Sequence, residues 1–292
     1  MIYSFGKDDG IKNILRLVLS QNSKCQPESI EALRTYFLEF LVNHQRDCKV
    51  NFANKLISAK SSSNSFTQTF AESRIDDLYN QSLIGSAFSD EQSNLYSSNL
   101  GKAIDYISTK DEDAVKVFHL YINEVGIQSS NTTESGKTAF GGSSSKSIGK
   151  IWLSPRDDFQ IQDYIELIAH ELTHNMLFVD ELNWGHFEYR NMHDPKYFAK
   201  SAILNALRPI DKVFHSIVVA SEVLQWRQKF SRQNEIATVH PESNKIIKNT
   251  ILAIESIESN SRAQSLLKPR AIEILEHVKS QVQPQTSQEA CL

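Results

Sequence analysis

His170, Glu171 and His174, in the segment IAHELTH at 168–174, have the types and spacing for metal chemistry. On a helix, positions i and i+4 project from one face, so both rings can offer a nitrogen to one ion. Glu171 then borders the neighbouring coordination space, where a carboxylate can act as general base on a metal-bound water. Two histidines do not complete a catalytic site, which takes a third protein ligand. Asp180 follows His174 by six residues, but position 177 is Leu, and an unbroken helix carries Asp180 away from the pair. His186 and His193 fall in the segment after the helix and could reach back. His215 and Glu222 are better placed. Seven residues apart on an apolar stretch, they share one face of a later helix, and either can be the third donor.

Such residues need rigid elements to hold them. The stretch DDFQIQDYIELIAHELTHNMLF predicts a helix over 157–178, with acidic residues at its positive end and Ile165, Ile168, Leu172, Met176 and Leu177 facing a core. Upstream, KSIGKIWLS (146–154) reads as a strand stopped by Pro155. A strand beside a metal helix can hold an extended peptide by strand addition, which makes peptide the expected partner class. Residues 126–149, rich in Gly, Ser and Thr, read as loop with at most a short extended piece. Apolar spacing predicts helices at 11–19, 28–45 and 112–125, and another around 69–83 after a serine-rich loop at 58–66. After the metal helix we expect a loop at 183–195 and helix again from Tyr197. A break follows at Arg208–Pro209, where Pro209 opens a new helix. Two further helices are expected near 243–259 and 262–281, with an unpacked tail at 283–292. The fold class is α+β, predominantly α-helical, with a zincin-like metal helix beside a short strand or small sheet. The chain divides into an N-terminal helical region, 1–125, and a metal-binding region with the C-terminal helices, 126–292, unless the two form one continuous domain. The N-terminal helices are read as core support rather than a docking surface for a leader peptide.

Composition narrows the partners. Lys and Arg number 31 against 35 Asp and Glu, a formal net charge of -4, and no basic run points to nucleic acid. The first residues lack a secretory pattern and no apolar run reaches membrane-spanning length, so a cytoplasmic protein is expected. Cys25, Cys48 and Cys291 are too scattered for a disulfide framework or a thiolate metal site.

LIAHELTH, followed about forty residues later by LRPIDKVFHSIVVASEV, resembles the HExxH-motif peptide-modification family associated with ribosomally made, modified peptides. The likeness covers about residues 148–226. It implies an Fe(II)- and 2-oxoglutarate-dependent β-hydroxylase acting on a precursor peptide. It implies His170, His174 and His215 as iron ligands, and Arg208 as the partner of the distal carboxylate of 2-oxoglutarate. Three imidazoles leave three open positions, two for a chelating 2-oxo acid and one for dioxygen. Arg208 precedes His215 by seven residues, roughly 10 Å along a helix, within reach for a long side chain. Glu222 then takes a supporting role, orienting His215, and Glu171 need not be a base. The alternative is a zinc-dependent metallopeptidase with Glu171 as general base and His215 or Glu222 as third ligand. A third reading is a binding or scaffold protein with a structural metal or none.

Overall fold

The computed structural model describes residues 1–45, 50, 52, 57–58, 84–132, 138–232 and 235–289. The expected serine-rich loop at 58–66 and helix at 69–83 lie outside the described residues, Ser58 excepted. The N-terminal part is helical: α1 (Ile2–Phe5), α2 (Lys7–Gln21) and α3 (Ile30–His44), the last capped by Ser29 accepting from the Ala32 amide. Two short strands, β1 (Ile57–Ser58) and β2 (Ile84–Ala87), precede α4 (Asp90–Lys110) and α5 (Glu112–Tyr121). Helix α4 is absent from the sequence-based expectation, although Tyr96, Leu100, Ala103 and Ile107 give it a clear buried stripe.

The helix expected through 125 stops at Tyr121. Residues Glu124–Ser130 form β3 instead, the strand around which the sheet is built. Its partners decide this: β3 runs parallel to β5 (Lys150–Leu153), with Val125 opposite Ile151 and Ile127 opposite Leu153, all four buried. Pairing across some 25 residues of chain lies beyond the reach of local periodicity. Strand β4 (Gly141–Ser143) pairs antiparallel with β5, so the order is β1, β3, β5, β4, with β2 also on β3. The strand expected at KIWL is therefore present but interior, and β4, from the glycine- and serine-rich segment, is the outer strand beside it.

Helix α6 (Ile161–Trp184) follows, opened by a reciprocal capping box between Gln160 and Asp163. After a 3-10 turn (Pro195–Tyr197) the chain makes a two-stranded ribbon, β6 (Ala199–Lys200) and β7 (Leu207–Arg208), where helix was expected from Tyr197. Two features explain the correction. Arg208 precedes Pro209, which disfavours helical backbone, and Asn205 takes a left-handed φ of 54° at the turn. Helix α7 (Ile210–Phe230) starts directly after Pro209, as expected, and α8 (Ser243–Glu258) follows. The helix expected over 262–281 is two: α9 (Ser261–Gln264) and α10 (Pro269–Glu289), with Pro269 opening the second and the helix running on where an unpacked tail was expected. The molecule is thus α+β and predominantly helical. Its buried apolar residues, from Met1 to Val282, join in one core, except Ile84 and Trp152, which form a small second cluster, and among the described residues no helix is long and apolar enough to cross a membrane.

Helix α6 is the axis of this core. It packs on α7, α4, α2 and β4, and one buried ionic knot ties it to both ends of the chain. Asp180 accepts from Arg270 of α10 (3.1 and 2.9 Å), from Asn13 of α2 (2.9 Å), and sits 2.7 Å from His186 Nε2. Burial pushes the Asp180 carboxyl up, but His186 and Arg270 outweigh it and hold it below the usual range. Asp180 is therefore committed to the core, and the metal role considered for it and for His186 does not hold. Arg270→Met should destabilise the fold by about 2–3 kcal/mol in urea denaturation, because a buried carboxylate loses its strongest partner while keeping two others. A carboxylate with a depressed pKa contributes stability above its unfolded pKa and loses it as pH falls through the folded value. The cost of Arg270→Met should therefore be largest near neutral pH and shrink as pH falls below the unfolded carboxylate range, where the wild-type protein gives up the contribution of this ion pair.

Candidate metal centre

Along α6, Glu166, His170, His174 and Phe178 recur every four residues and form one stripe. Helix α7 crosses this stripe and brings His215 to it. His174 Nδ1 lies 2.9 Å from His215 Nδ1, and His174 Nε2 lies 3.2 Å from His170 Nε2. Phe178 flanks both rings, at 6.2 Å from His174 and 5.3 Å from His215 between centroids. The three histidines proposed from the sequence thus meet, from two helices, as one row of rings. His170 and His174 are partly exposed and His215 is 8% exposed. All three are held well below the ordinary imidazole pKa, first by desolvation, then by neighbouring positive or protonatable groups: His240 for His170, His170 and His215 for His174, and Lys212 for His215. Neutral imidazoles are the form that binds metal.

The donor types suit a metal, and so does part of the geometry. Two nitrogens on one ion at about 2.1 Å stand roughly 3.0–3.4 Å apart, and the Nε2 atoms of His170 and His174 are 3.2 Å apart. His215 approaches the other nitrogen of His174, so among the described residues no three donors surround a common point. A three-histidine site needs the His215 or His174 ring to turn within the row.

Glu171 faces the sheet. Ser143 Oγ of β4 donates to its Oε2 at 2.5 Å, and a Cβ at Gly141 would stand 2.9 Å from its Oε1. The carboxyl is 2% exposed, and burial pushes its pKa up to about 8 against the pull of the Ser143 hydrogen bond. Asn175 fixes the same corner: its amide donates to the Glu171 carbonyl (2.9 Å), and its Oδ1 accepts from the Gly149 amide (2.7 Å). The sequence gives no hint of Ser143, which lies in a segment read as loop.

Arg208, partly buried at the end of β7, adds its positive charge to that of Lys212 in disfavouring protonation of His174. Both cations therefore act on the histidine row. Glu222 does not support His215. Its Oε1 accepts from the Tyr3 amide (2.9 Å) and the Trp226 indole (3.2 Å), its Oε2 from the Ser4 amide and hydroxyl (3.2 and 2.8 Å), and the Met1 amine ion-pairs with it. Seven residues place it two turns from His215, and the N-terminal segment takes both its oxygens. His193 is exposed in the loop after α6. A residue that sequence reading missed altogether is His240, whose Nε2 lies 2.8 Å from His170 Nδ1. It comes from the loop before α8, and nothing local marks it. Glu166, one turn before His170 on the same stripe, could have been found from spacing alone.

No protein-family model matches the chain, and neither does any curated protein.

Glycine at 141 and 142 is a packing requirement. A Cβ at 141 would also lie 2.9 Å from the Trp152 carbonyl oxygen, and one at 142 would lie 2.4 Å from Trp152 Nε1. Ser143→Ala should cost about 1 kcal/mol, the usual loss for one hydrogen bond. Gly141→Ala should cost about 2–3 kcal/mol, because the backbone carbonyl in the way cannot rotate aside. Urea midpoints of the two variants check this order.

Proposed function

We propose that the protein is a non-haem Fe(II)- and 2-oxoglutarate-dependent oxygenase that β-hydroxylates a residue of a ribosomally made precursor peptide, working in the cytoplasm. The observation that supports it most is the row of three imidazoles, His170, His174 and His215, with Arg208 seven residues before the last of them. Histidines as the only protein donors leave coordination positions for a bidentate 2-oxo acid and dioxygen. Iron bound there would supply oxidation coupled to decarboxylation of the co-substrate.

The chain's own residues do the binding and orienting. Arg208 offers a planar fork that matches a carboxylate bidentately, and Lys212 adds a second positive charge on the same side of α7 as His215. Phe178 covers one flank of the His174–His215 contact with an apolar face. Among the described residues β4 is the last strand on its side of the sheet. An extended substrate added to that edge would run beside Ser143 and Glu171. Glu171, held by Ser143, then orients a group at the site rather than activating water.

One observation favours a second reading, a zinc metallopeptidase. The Glu171 carboxyl, on the residue next to His170, has its pKa pushed up to about 8 by burial behind an outer strand, a value that suits a general base.

Anaerobic addition of Fe(II) and 2-oxoglutarate should produce the weak visible charge-transfer band of a chelated 2-oxo acid. With a peptide substrate and air, the product should be heavier by one oxygen, with succinate formed. Shorter fragments formed with zinc would establish the peptidase instead. Arg208→Ala should weaken 2-oxoglutarate binding about tenfold or more, the scale of a lost charge-assisted pair, with metal content unchanged. Glu171→Gln should abolish a peptidase and leave an oxygenase active.

A further inference from the structure

The histidine row continues away from α7 through a second set of partners. His170 Nδ1 meets His240 Nε2 at 2.8 Å, and His240 Nδ1 meets Glu166 Oε2 at 2.9 Å. Glu166 is gripped by Arg227, with Nε on Oε1 at 2.6 Å and an Nη on Oε2 at 3.0 Å. The loop that carries His240 is pinned on both sides. Asp163 Oδ1 accepts from the Thr238 and Val239 amides at 2.6 and 3.2 Å, and Arg227 donates to the Pro241 carbonyl at 2.8 Å. His240 is 7% exposed and Glu166 is fully buried.

For a singly protonated His240, donor and acceptor rules settle the hydrogens along the chain. Arg227 can only donate, and an ion-paired carboxylate can only accept. His240 must therefore carry its hydrogen on Nδ1, toward Glu166. Its Nε2 is then a bare acceptor, and at 2.8 Å the hydrogen between the rings belongs to His170 Nδ1. A neutral His170 with Nδ1–H has a free lone pair on Nε2, the atom that faces His174.

We propose that Arg227, Glu166 and His240 form a tautomer-setting relay that holds His170 in the Nδ1–H form, with Nε2 aimed as a metal donor. His240 and Glu166 are positioning residues. They act through His170 and do not touch the reacting atoms. Their role toward a metal rests on the metal-site reading above; the tautomer itself does not. The ordering matters because the other tautomer would place a hydrogen on the nitrogen that must donate, and outer partners of metal-bound histidines commonly change metal affinity about 10–100-fold.

The test uses the full chain in two measurements. In metal-free protein labelled with 15N-histidine, long-range proton–nitrogen correlations at neutral pH should show His170 as the Nδ1–H tautomer, its signals assigned by their loss in His170→Gln. That tautomer should become mixed in His240→Ala. A wild-type His170 carrying its hydrogen on Nε2, as it would beside a doubly protonated His240, overturns the proposal. Competition against a chelator then gives the Zn(II) affinity. His240→Ala and Glu166→Gln should weaken it about 10–100-fold, and His240→Gln, which restores an acceptor for His170 Nδ1, should recover part of the loss. Because Glu166→Gln leaves Arg227 without its charge partner and can unfold the loop, His240→Ala decides if that variant is unstable. Unchanged affinity in a folded His240→Ala overturns the role toward metal. A wild-type protein that binds no Zn(II) or Fe(II) sinks the metal-site reading and leaves the tautomer to be judged by the spectra.

Discussion

Helix α6 is buried along most of its length while carrying an unusual number of polar side chains, and the rest of the structure is arranged to satisfy them. Asp163, Glu166, Glu171, Asn175 and Asp180 are all buried. Each such group costs several kcal/mol if it leaves water without a partner, and more if charged. The partners come from every side: the 238–239 backbone for Asp163, Arg227 and His240 for Glu166, Ser143 for Glu171, the Gly149 amide for Asn175, and Arg270, Asn13 and His186 for Asp180. Strand β4, the loop before α8, helix α10 and helix α2 are therefore fastened to one helix by its own desolvation needs. The apolar core supplies the bulk of the stabilisation. The polar partners decide which packing is acceptable.

This arrangement separates two kinds of histidine environment, one along helix α6 and one just past its end. His186, itself fully buried, is bound with Asp180 and Arg270 into a charge-compensated knot. His170 and His174 instead meet other imidazoles, and His174 also the fields of Lys212 and Arg208, with no carboxylate among the described residues hydrogen-bonded to either ring. Burial and positive neighbours both favour the neutral ring. The row is thus held as a set of lone-pair donors on the partly exposed face of the helix. Glu166 serves that row only through His240, where its charge is already matched by Arg227.

The metal helix was readable because its signals are local: the i, i+4 spacing of His170 and His174, the apolar residues around them and the acidic first turn. The start of α7 after Pro209 was readable for the same reason. The N-terminal half of the sheet was not. EVGIQSS has no strong alternation, and it becomes a strand because β5 offers Ile151 and Leu153 opposite Val125 and Ile127. The ribbon at β6 and β7 was missed although Arg208–Pro209 signalled extended backbone, since the apolar residues around it imitate a helix. Glu222 looked like a companion of His215 because spacing along a helix says nothing of what occupies the neighbouring space, here the first residues of the chain.

What the sequence by itself determined was a helix presenting His170 and His174 on one face, a later helix presenting His215, and an arginine placed before it. These follow from periodicities of three to four residues, which local backbone geometry converts directly into direction. Only the tertiary structure decided that His215 meets His174, that Glu222 and Asp180 serve the core, and that Ser143 and His240 close on Glu171 and His170. Those pairings join residues 28 to 219 positions apart. They are selected by the need to satisfy buried polar groups, a condition that no local pattern carries.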